Sequence, residues 1–123
     1  MKINEAIAQV DRMRDNMIPN DIKIGWLSRT DHLIFDEIIS GREGSEGQTF
    51  EGYTENDGDK TLLVPPPYDE LYIYKLEAQI YYEQREIKKY ASSMALYNET
   101  MNEYSKKYMR EHRALANPAT KYW

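Results

Sequence analysis

The chain has 123 residues and a formal net charge of -5, and 41% of its residues are hydrophobic while 30% are charged. This balance predicts one soluble domain with a limited core, and the negative charge disfavours general attachment to nucleic-acid phosphates. The absence of Cys excludes disulfides, thiolate zinc sites and Cys nucleophiles. No apolar run reaches the roughly 18 to 20 residues that cross a bilayer, and the N-terminal segment lacks the apolar stretch of a signal peptide. A cytosolic location is therefore expected.

Two helices are predicted before residue 41. Apolar residues recur at helical spacing from residue 4 to residue 17, and Pro19 cannot continue that helix. Asn20 then provides a cap for a second helix, whose apolar face runs on to Ser40.

Residues 41 to 67 differ in composition, since five of the six Gly and three of the five Pro lie there. Two runs of strand-forming residues, 48–53 and 61–64, flank an Asp-Gly pair, a pattern typical of a hairpin. We therefore predict a protruding β-hairpin insertion at about residues 45–65, between the second and third helices. The acidic side chains assigned to this hairpin are Glu51, Glu55, Asp57 and Asp59.

The third predicted helix starts near Tyr68 and has apolar residues around most of its circumference, so it should be the central, most buried helix. The helical spacing continues to residue 108. One helix from 69 to 110 would be roughly 60 Å long, which is too long for a compact domain of this size. A turn near Glu83 to Glu86 is therefore predicted, although no Gly, Pro or Asn marks it.

The fourth predicted helix carries a stripe of large aromatic and thioether side chains where Leu would be usual. The stripe consists of Ile87, Tyr90, Met94, Tyr97, Met101, Tyr104 and Tyr108. Met adapts to irregular surfaces and Tyr anchors interfaces, so we expect the early part to pack inside the domain and the later part against another chain. The predicted partner-binding residues are Tyr97, Met101, Tyr104, Tyr108, Arg110, Arg113, Tyr122 and Trp123.

Patterns for catalysis or metal binding are lacking in the sequence. His32 and His112 lie 80 residues apart without a third ligand at a fixed offset, and neither a nucleophile elbow nor a phosphate-binding loop occurs. An EF-hand register that places Gly58 at position 6 puts Tyr53 at position 1, where an acidic or amide ligand is needed. The second helix has no positive face for a DNA groove. We predict no enzyme activity, no catalytic residues, no cofactor and no metal.

Two long stretches resemble head-tail connector proteins of tailed bacteriophages and prophages of Gram-positive bacteria, also called adaptor or head completion proteins. These stretches are MKINEAIAQVDRMRDNMIPNDIKIGWLSRTDHLIFDEII and LLVPPPYDELYIYKLEAQIYYEQREIKKYASSMALYNETMNEY. The likeness covers about residues 1 to 108 and depends on a pattern across both stretches, not on a catalytic motif.

The resemblance implies a mainly α fold, with a four-helix bundle-like connector domain at residues 1–112 and a C-terminal arm at residues 113–123. It also implies a homo-oligomeric ring, usually of twelve subunits, beneath the portal of a DNA-filled capsid. The free protein can then be monomeric before assembly. The arm would face the portal protein, and the hairpin would face the channel or the next head-completion or tail protein.

In this interpretation the protein resides in the bacterial cytoplasm before assembly and at the head-tail junction of the virion afterwards, without membrane contact. DNA would pass the acidic channel without specific binding, because like charge prevents tight phosphate contacts. The alternative is a small cytosolic helical adaptor or regulator that binds a host protein through the Tyr and Met stripe.

Overall fold

The structure is a computed structural model, and it describes residues 1–115. Within that range the chain is mainly helical, as predicted, and a π-helical segment at Phe35–Ile39 continues the second helix. The four α-helices of the described residues are α1 (Ile3–Met13), α2 (Asn20–Ile34), α3 (Glu70–Glu83) and α4 (Ile87–Glu111).

The first helix ends four residues earlier than the periodicity predicts. After Met13 the side chain of Asn16 donates a hydrogen bond to the Arg14 carbonyl (2.9 Å) and accepts one from the Ile18 amide (3.1 Å). Asn side chains stabilise such local turns and compete with helix continuation. The segment 14–19 therefore links α1 to α2 without regular secondary structure. Helix α2 begins at Asn20, directly after Pro19.

Helix α3 is the central helix, as predicted, because it packs against α1, α2 and α4. Its most extensive contact is with α4. The fully buried side chains of α3 are Leu71, Tyr72, Leu76, Ala78 and Ile80, each 0% exposed. A helix that has apolar residues on most of its circumference has to be buried on most sides, and α3 is.

The predicted turn between the third and fourth helices is confirmed at residues 84–86. The amide of Glu86 donates to the Tyr81 carbonyl (2.9 Å), and the amide of Arg85 donates to the Tyr82 carbonyl (3.0 Å). These two bonds form a Schellman motif, in which the residue after the C-cap adopts the left-handed conformation. Here that residue is Arg85, with φ of 60°, where Gly is usual. The helix therefore ends without a residue that marks a turn in the sequence.

The β-hairpin predicted at 45–65 is not seen in this structure. Among residues 1–115, β pairing is limited to two isolated bridges, Lys2 with Thr61 and Arg42 with Ala114. The insertion instead caps α1: the amide of Ile3 donates to the Lys60 carbonyl (3.0 Å), and that of Asn4 donates to the Gly58 carbonyl (2.9 Å). The first amides of a helix lack partners within the helix, so these carbonyls satisfy them.

A buried carboxylate holds the insertion onto the helices. Asp31 on α2 is 0% exposed and accepts hydrogen bonds from the Tyr53 hydroxyl, the Tyr72 hydroxyl (2.5 Å) and the Leu63 amide (3.0 Å). The Tyr72 hydroxyl also accepts a bond from the Val64 amide (2.9 Å). This network therefore ties residues 53–64 to both α2 and α3.

The chain after α4 returns to the start of the insertion. The Arg42 guanidinium donates to the His112 carbonyl (2.9 Å), and the Glu43 amide donates to the Arg113 carbonyl (2.9 Å). The Leu115 amide donates to the Gly41 carbonyl (2.7 Å). Residues 113–115, the beginning of the predicted arm, are thus bound at the end of the bundle where the π-helical segment ends.

Candidate protein-interaction surfaces

The structure divides the predicted partner-binding residues into buried and accessible groups. Tyr97 and Tyr104 are only 6% and 5% exposed and belong to the core of the chain. Met101 and Tyr108 are half-buried, and Arg110 and Arg113 are exposed. The remaining two, Tyr122 and Trp123, lie outside the described residues.

We expected the early part of the stripe to pack inside the domain and the later part to pack against another chain, but the burial of the stripe follows a different order. Ile87, the first residue of the stripe, is 60% exposed, whereas Tyr97 and Tyr104 in its later part are buried. The reason lies in the α3–α4 turn, because Tyr90 packs on Tyr82 (ring centroids 5.4 Å apart) and leaves Ile87 outside that contact. The apolar surface that α4 leaves open at its start is therefore larger than expected.

Tyr104 and Tyr108 line a groove between the second half of α4 and the insertion, which we call the α4 groove. It has a volume of about 330 Å³ and its lining includes Ile39, Leu63, Pro65, Tyr68, Tyr104 and Tyr108. The rings continue along the helix, since Tyr104 lies 5.9 Å from Tyr108, which stacks on His112 at 3.9 Å. Burial raises the pKa of Tyr104 to about 12, so its hydroxyl stays neutral and can only exchange hydrogen bonds.

The acidic residues of the insertion do not all have the same role. Glu51, Glu55 and Asp59 are exposed. Asp57 instead accepts a hydrogen bond from the Thr54 amide (2.7 Å) and pairs with Lys60 (3.3 Å). The Thr54 amide, followed by Lys60, lowers the pKa of Asp57. Asp57 therefore shapes the turn, and the other three are the acids that a partner or solvent can reach.

A second groove, which the sequence analysis missed, lies where the α1–α2 connection meets the end of α3. This α1–α2 groove has a volume of about 900 Å³, and its lining includes Asp15, Met17, Ile18, Ile22, Trp26 and Glu83. Met17 is 97% exposed and Ile22 is 45% exposed. The apolar pair before Pro19 could have indicated an exposed connection, but the contribution of Glu83 depends on the tertiary fold.

Asp31 is the most completely buried carboxylate of the described residues, and the sequence analysis gave it no role. Burial raises its pKa, while its hydrogen bonds from Tyr53, Tyr72 and Leu63 act in the opposite direction. The pKa values of Tyr53 and Tyr72 are raised as well, mainly by burial and also by the nearby carboxylate. The hydrogen bonds link Asp31, Tyr53, Tyr72 and Leu63 to one another, so the arrangement holds the insertion on the helices.

Two further properties of residues 1–115 bear on the surfaces. No cluster of three or more His, Asp or Glu side chains in this range could hold a metal ion. None of the helices described is both long enough and apolar enough to cross a membrane.

Comparison with known proteins gave no match: no family model, curated protein or solved structure is significantly similar to this chain.

Proposed function

We propose that this chain is a structural head-tail connector protein, which assembles as a ring under the portal, joins capsid to tail and forms part of the DNA channel. The observation that carries the proposal, beside the sequence resemblance, is the length of α4. With 25 residues it is about 37 Å long, against about 21 Å for the 14 residues of α3. Its last turns therefore extend past α3 and lie beside the π-helical segment and the insertion.

The projecting end of α4 is the portal-binding surface in this proposal. It presents the exposed cations Arg110 and Arg113 next to the α4 groove, with Met101 and Tyr108 half-buried beside them. Arg and Tyr are the residue types that contribute most to binding energy at interfaces. In this proposal the C-terminal arm, residues 113–123, continues from this end and binds the portal or a neighbouring subunit.

The insertion faces the channel or the next head-completion or tail protein. Glu51, Glu55 and Asp59 are exposed and acidic, so DNA can pass them without tight phosphate contacts. The hairpin pairing of residues 45–65 is assigned to the assembled ring. Residues 46–49 are exposed and free of strand pairing in the described chain, whereas the amides of residues 62–64 would have to leave Met1, Asp31 and Tyr72. In this scheme the protein is cytoplasmic before assembly and part of the virion afterwards.

The experiment mixes the purified protein with portal complexes and measures the mass of the product by native mass spectrometry. We expect a complex of portal with a ring of about twelve copies, the number that the resemblance implies, with each subunit added cooperatively. The double variant Arg110→Glu/Arg113→Glu should lose this complex. The matched control is Arg12→Glu/Lys88→Glu, two exposed cations at the other end of the bundle. A portal whose mass stays unchanged, or equal loss in both variants, would refute the proposal.

The alternative, an adaptor that binds a host protein through the Tyr and Met stripe, has less support from the geometry. Tyr97 and Tyr104, the centre of that stripe, pack in the core of their own chain. Because they are buried, an adaptor would retain only the half-buried and exposed members of the stripe for its partner.

A further inference from the structure

The α1–α2 groove is an apolar concavity of about 900 Å³, and no described residue fills it. Met17 is 97% exposed beside it, and the floor includes Trp26, which is 8% exposed. Met17 and Ile22 thus belong to one contiguous apolar surface around the groove, and such surfaces mark interaction sites. The charged residues of the lining, Asp15 and Glu83, are both acids. The groove therefore suits a segment that combines aromatic rings with a cation.

The chain itself contains such a segment in residues 116–123, which lie outside the described residues. This sequence, ANPATKYW, ends with Lys121, Tyr122 and Trp123, and Lys121 is its only charged side chain. Tyr and Trp bring large apolar area with a polar atom, and Lys matches the acids at the rim of the groove. The α4 groove suits this segment less well. Its lining is less acidic, because it includes Lys107 and His112 beside Glu111, and its volume is about a third of that of the α1–α2 groove.

The point at which the described chain stops decides which copy can supply this segment. The Leu115 amide is bound to the Gly41 carbonyl, beyond the end of the π-helical segment, whereas the α1–α2 groove lies at the start of α2. The helix from Asn20 to Ile39 spans about 28 Å. The eight residues 116–123 reach about 26 to 29 Å only when fully extended along a straight line. A neighbouring molecule can place its own residues 116–123 in the groove without having to span the length of this helix.

We propose that residues 116–123 of one copy bind in the α1–α2 groove of a second copy, with Tyr122 and Trp123 against Met17, Ile22 and Trp26. Lys121 then lies beside Asp15 and Glu83. Such a contact is heterologous, since the segment and the groove are different surfaces of one chain. Heterologous contacts form a ring when the rotation between successive copies closes, and an open filament when it does not. The inference rests on the proposed function for its setting, because it supplies the contact between neighbouring subunits of the connector ring.

The first experiment measures self-association of the full chain by sedimentation velocity, at concentrations up to about 1 mM, the order of the effective concentration within a closed ring. We expect concentration-dependent association that Ile22→Ser weakens at least about tenfold, as should the double variant Tyr122→Ala/Trp123→Ala. Leu33→Ser is the matched control, because Leu33 lies on the same helix and is 46% exposed, against 45% for Ile22. Met17→Ser serves as a second groove variant, since a side chain that is 97% exposed contributes little to folding.

The second experiment mixes two variants that each keep one half of the contact. Ile22→Ser retains its segment, and Tyr122→Ala/Trp123→Ala retains its groove, so the mixture should form a complex of one copy of each. A protein that is monomeric at every concentration would overturn the proposal. Equal weakening by Leu33→Ser and Ile22→Ser, or failure of the two variants to pair, would overturn it as well.

These outcomes are separable from those of the portal experiment. If the full chain associates through the groove but no portal complex forms, the connector function fails and the contact between copies stands. If the portal complex forms equally well with Ile22→Ser and the free protein stays monomeric, the connector function stands and this inference fails.

Discussion

At the scale of single residues, Asp31 links segments that lie far apart in the sequence. It is fully buried, and its partners come from the insertion and from α3. Burying a carboxylate is costly unless hydrogen bonds compensate it, and here two hydroxyls and one amide offset part of that cost. The insertion therefore keeps its position through polar contacts as well as through the core residues Leu62 and Val64.

We expect Tyr72→Phe to lower the free energy of unfolding by about 1 to 3 kcal/mol, because it removes a donor to Asp31 and leaves the Val64 amide buried without a partner. Urea unfolding measures this change. Tyr82→Phe is the control, since Tyr82 is 56% exposed and should change stability by less than about 0.5 kcal/mol. Similar midpoints for the two variants would show that the Asp31 network does not support the fold.

The raised pKa of Asp31 predicts the sign of a pH dependence. The folded chain holds the Asp31 proton more tightly than the unfolded chain, whose ordinary value is 3.8. Burial of the ionised carboxylate therefore destabilises the folded chain at every pH above the folded pKa. This destabilisation disappears as the pH falls through the folded pKa towards 3.8. In Asp31→Asn this dependence is absent, so the stability of the wild type relative to the variant should rise on acidification.

The measurement is urea unfolding of both proteins at a series of pH values from neutral to about pH 4. Comparison with the variant cancels the titration of the other acids, including Asp57, whose lowered pKa acts with the opposite sign. A relative stability that falls on acidification would mean that the three hydrogen bonds outweigh the burial of Asp31.

At the scale of secondary structure elements, the reversal between α3 and α4 shows how a helix can end without a residue that marks the end. The Schellman bonds of Arg85 and Glu86 satisfy carbonyls near the end of α3, and only Arg85 takes up an unfavourable conformation. A left-handed conformation costs a residue other than Gly roughly 1 to 2 kcal/mol. The packing of α4 on α3 therefore supports this turn against local preference.

Arg85→Gly should raise the free energy of unfolding by about 0.5 to 1 kcal/mol, since relief of the left-handed strain exceeds the added flexibility of the unfolded chain. Thermal or urea unfolding measures the change. The adjacent Glu86 has φ of -90°, so Glu86→Gly should lower stability by a similar amount. If Arg85→Gly is instead as destabilising as Glu86→Gly, the left-handed residue has been assigned wrongly.

At the scale of the whole molecule, α3 organises the fold because each of the other three α-helices of the described chain packs on it. The insertion joins the same core through Leu62 and Val64, which are 3% and 0% exposed. Helix α4 extends past α3, and near its far end Tyr104 still belongs to the core.

We expect Leu76→Ala to lower the free energy of unfolding by about 2 to 5 kcal/mol, as removal of a fully buried Leu side chain does. Leu96→Ala is the control on α4, where Leu96 is 46% exposed, and its effect should stay below about 1 kcal/mol. Circular dichroism during urea unfolding measures both. Near-neutral midpoints for both variants would contradict the central position of α3.

The sequence by itself determined the mainly helical class, the order of the helices, the central position of α3 and the turn near residues 83 to 86. These features depend on periodicity and on helix length, which are local properties of the chain. The position of Pro19 placed the start of α2 for the same reason, although Asn20 is the first residue of the helix and does not cap it as predicted. Boundaries that depend on a side-chain turn were less accurate, such as the end of α1 at Met13, which the turn made by Asn16 follows.

The tertiary structure decided the rest of the fold and of the candidate surfaces. The hydrogen-bond partners of Asp31 lie 22 to 41 residues away in the sequence, and the insertion caps α1. Packing of the helices also buries Tyr97 and Tyr104 and leaves Ile87 exposed. It also brought Glu83 beside Met17 in the α1–α2 groove. Contacts between distant segments leave no periodic pattern in one sequence, so their partners follow only from the way the helices pack.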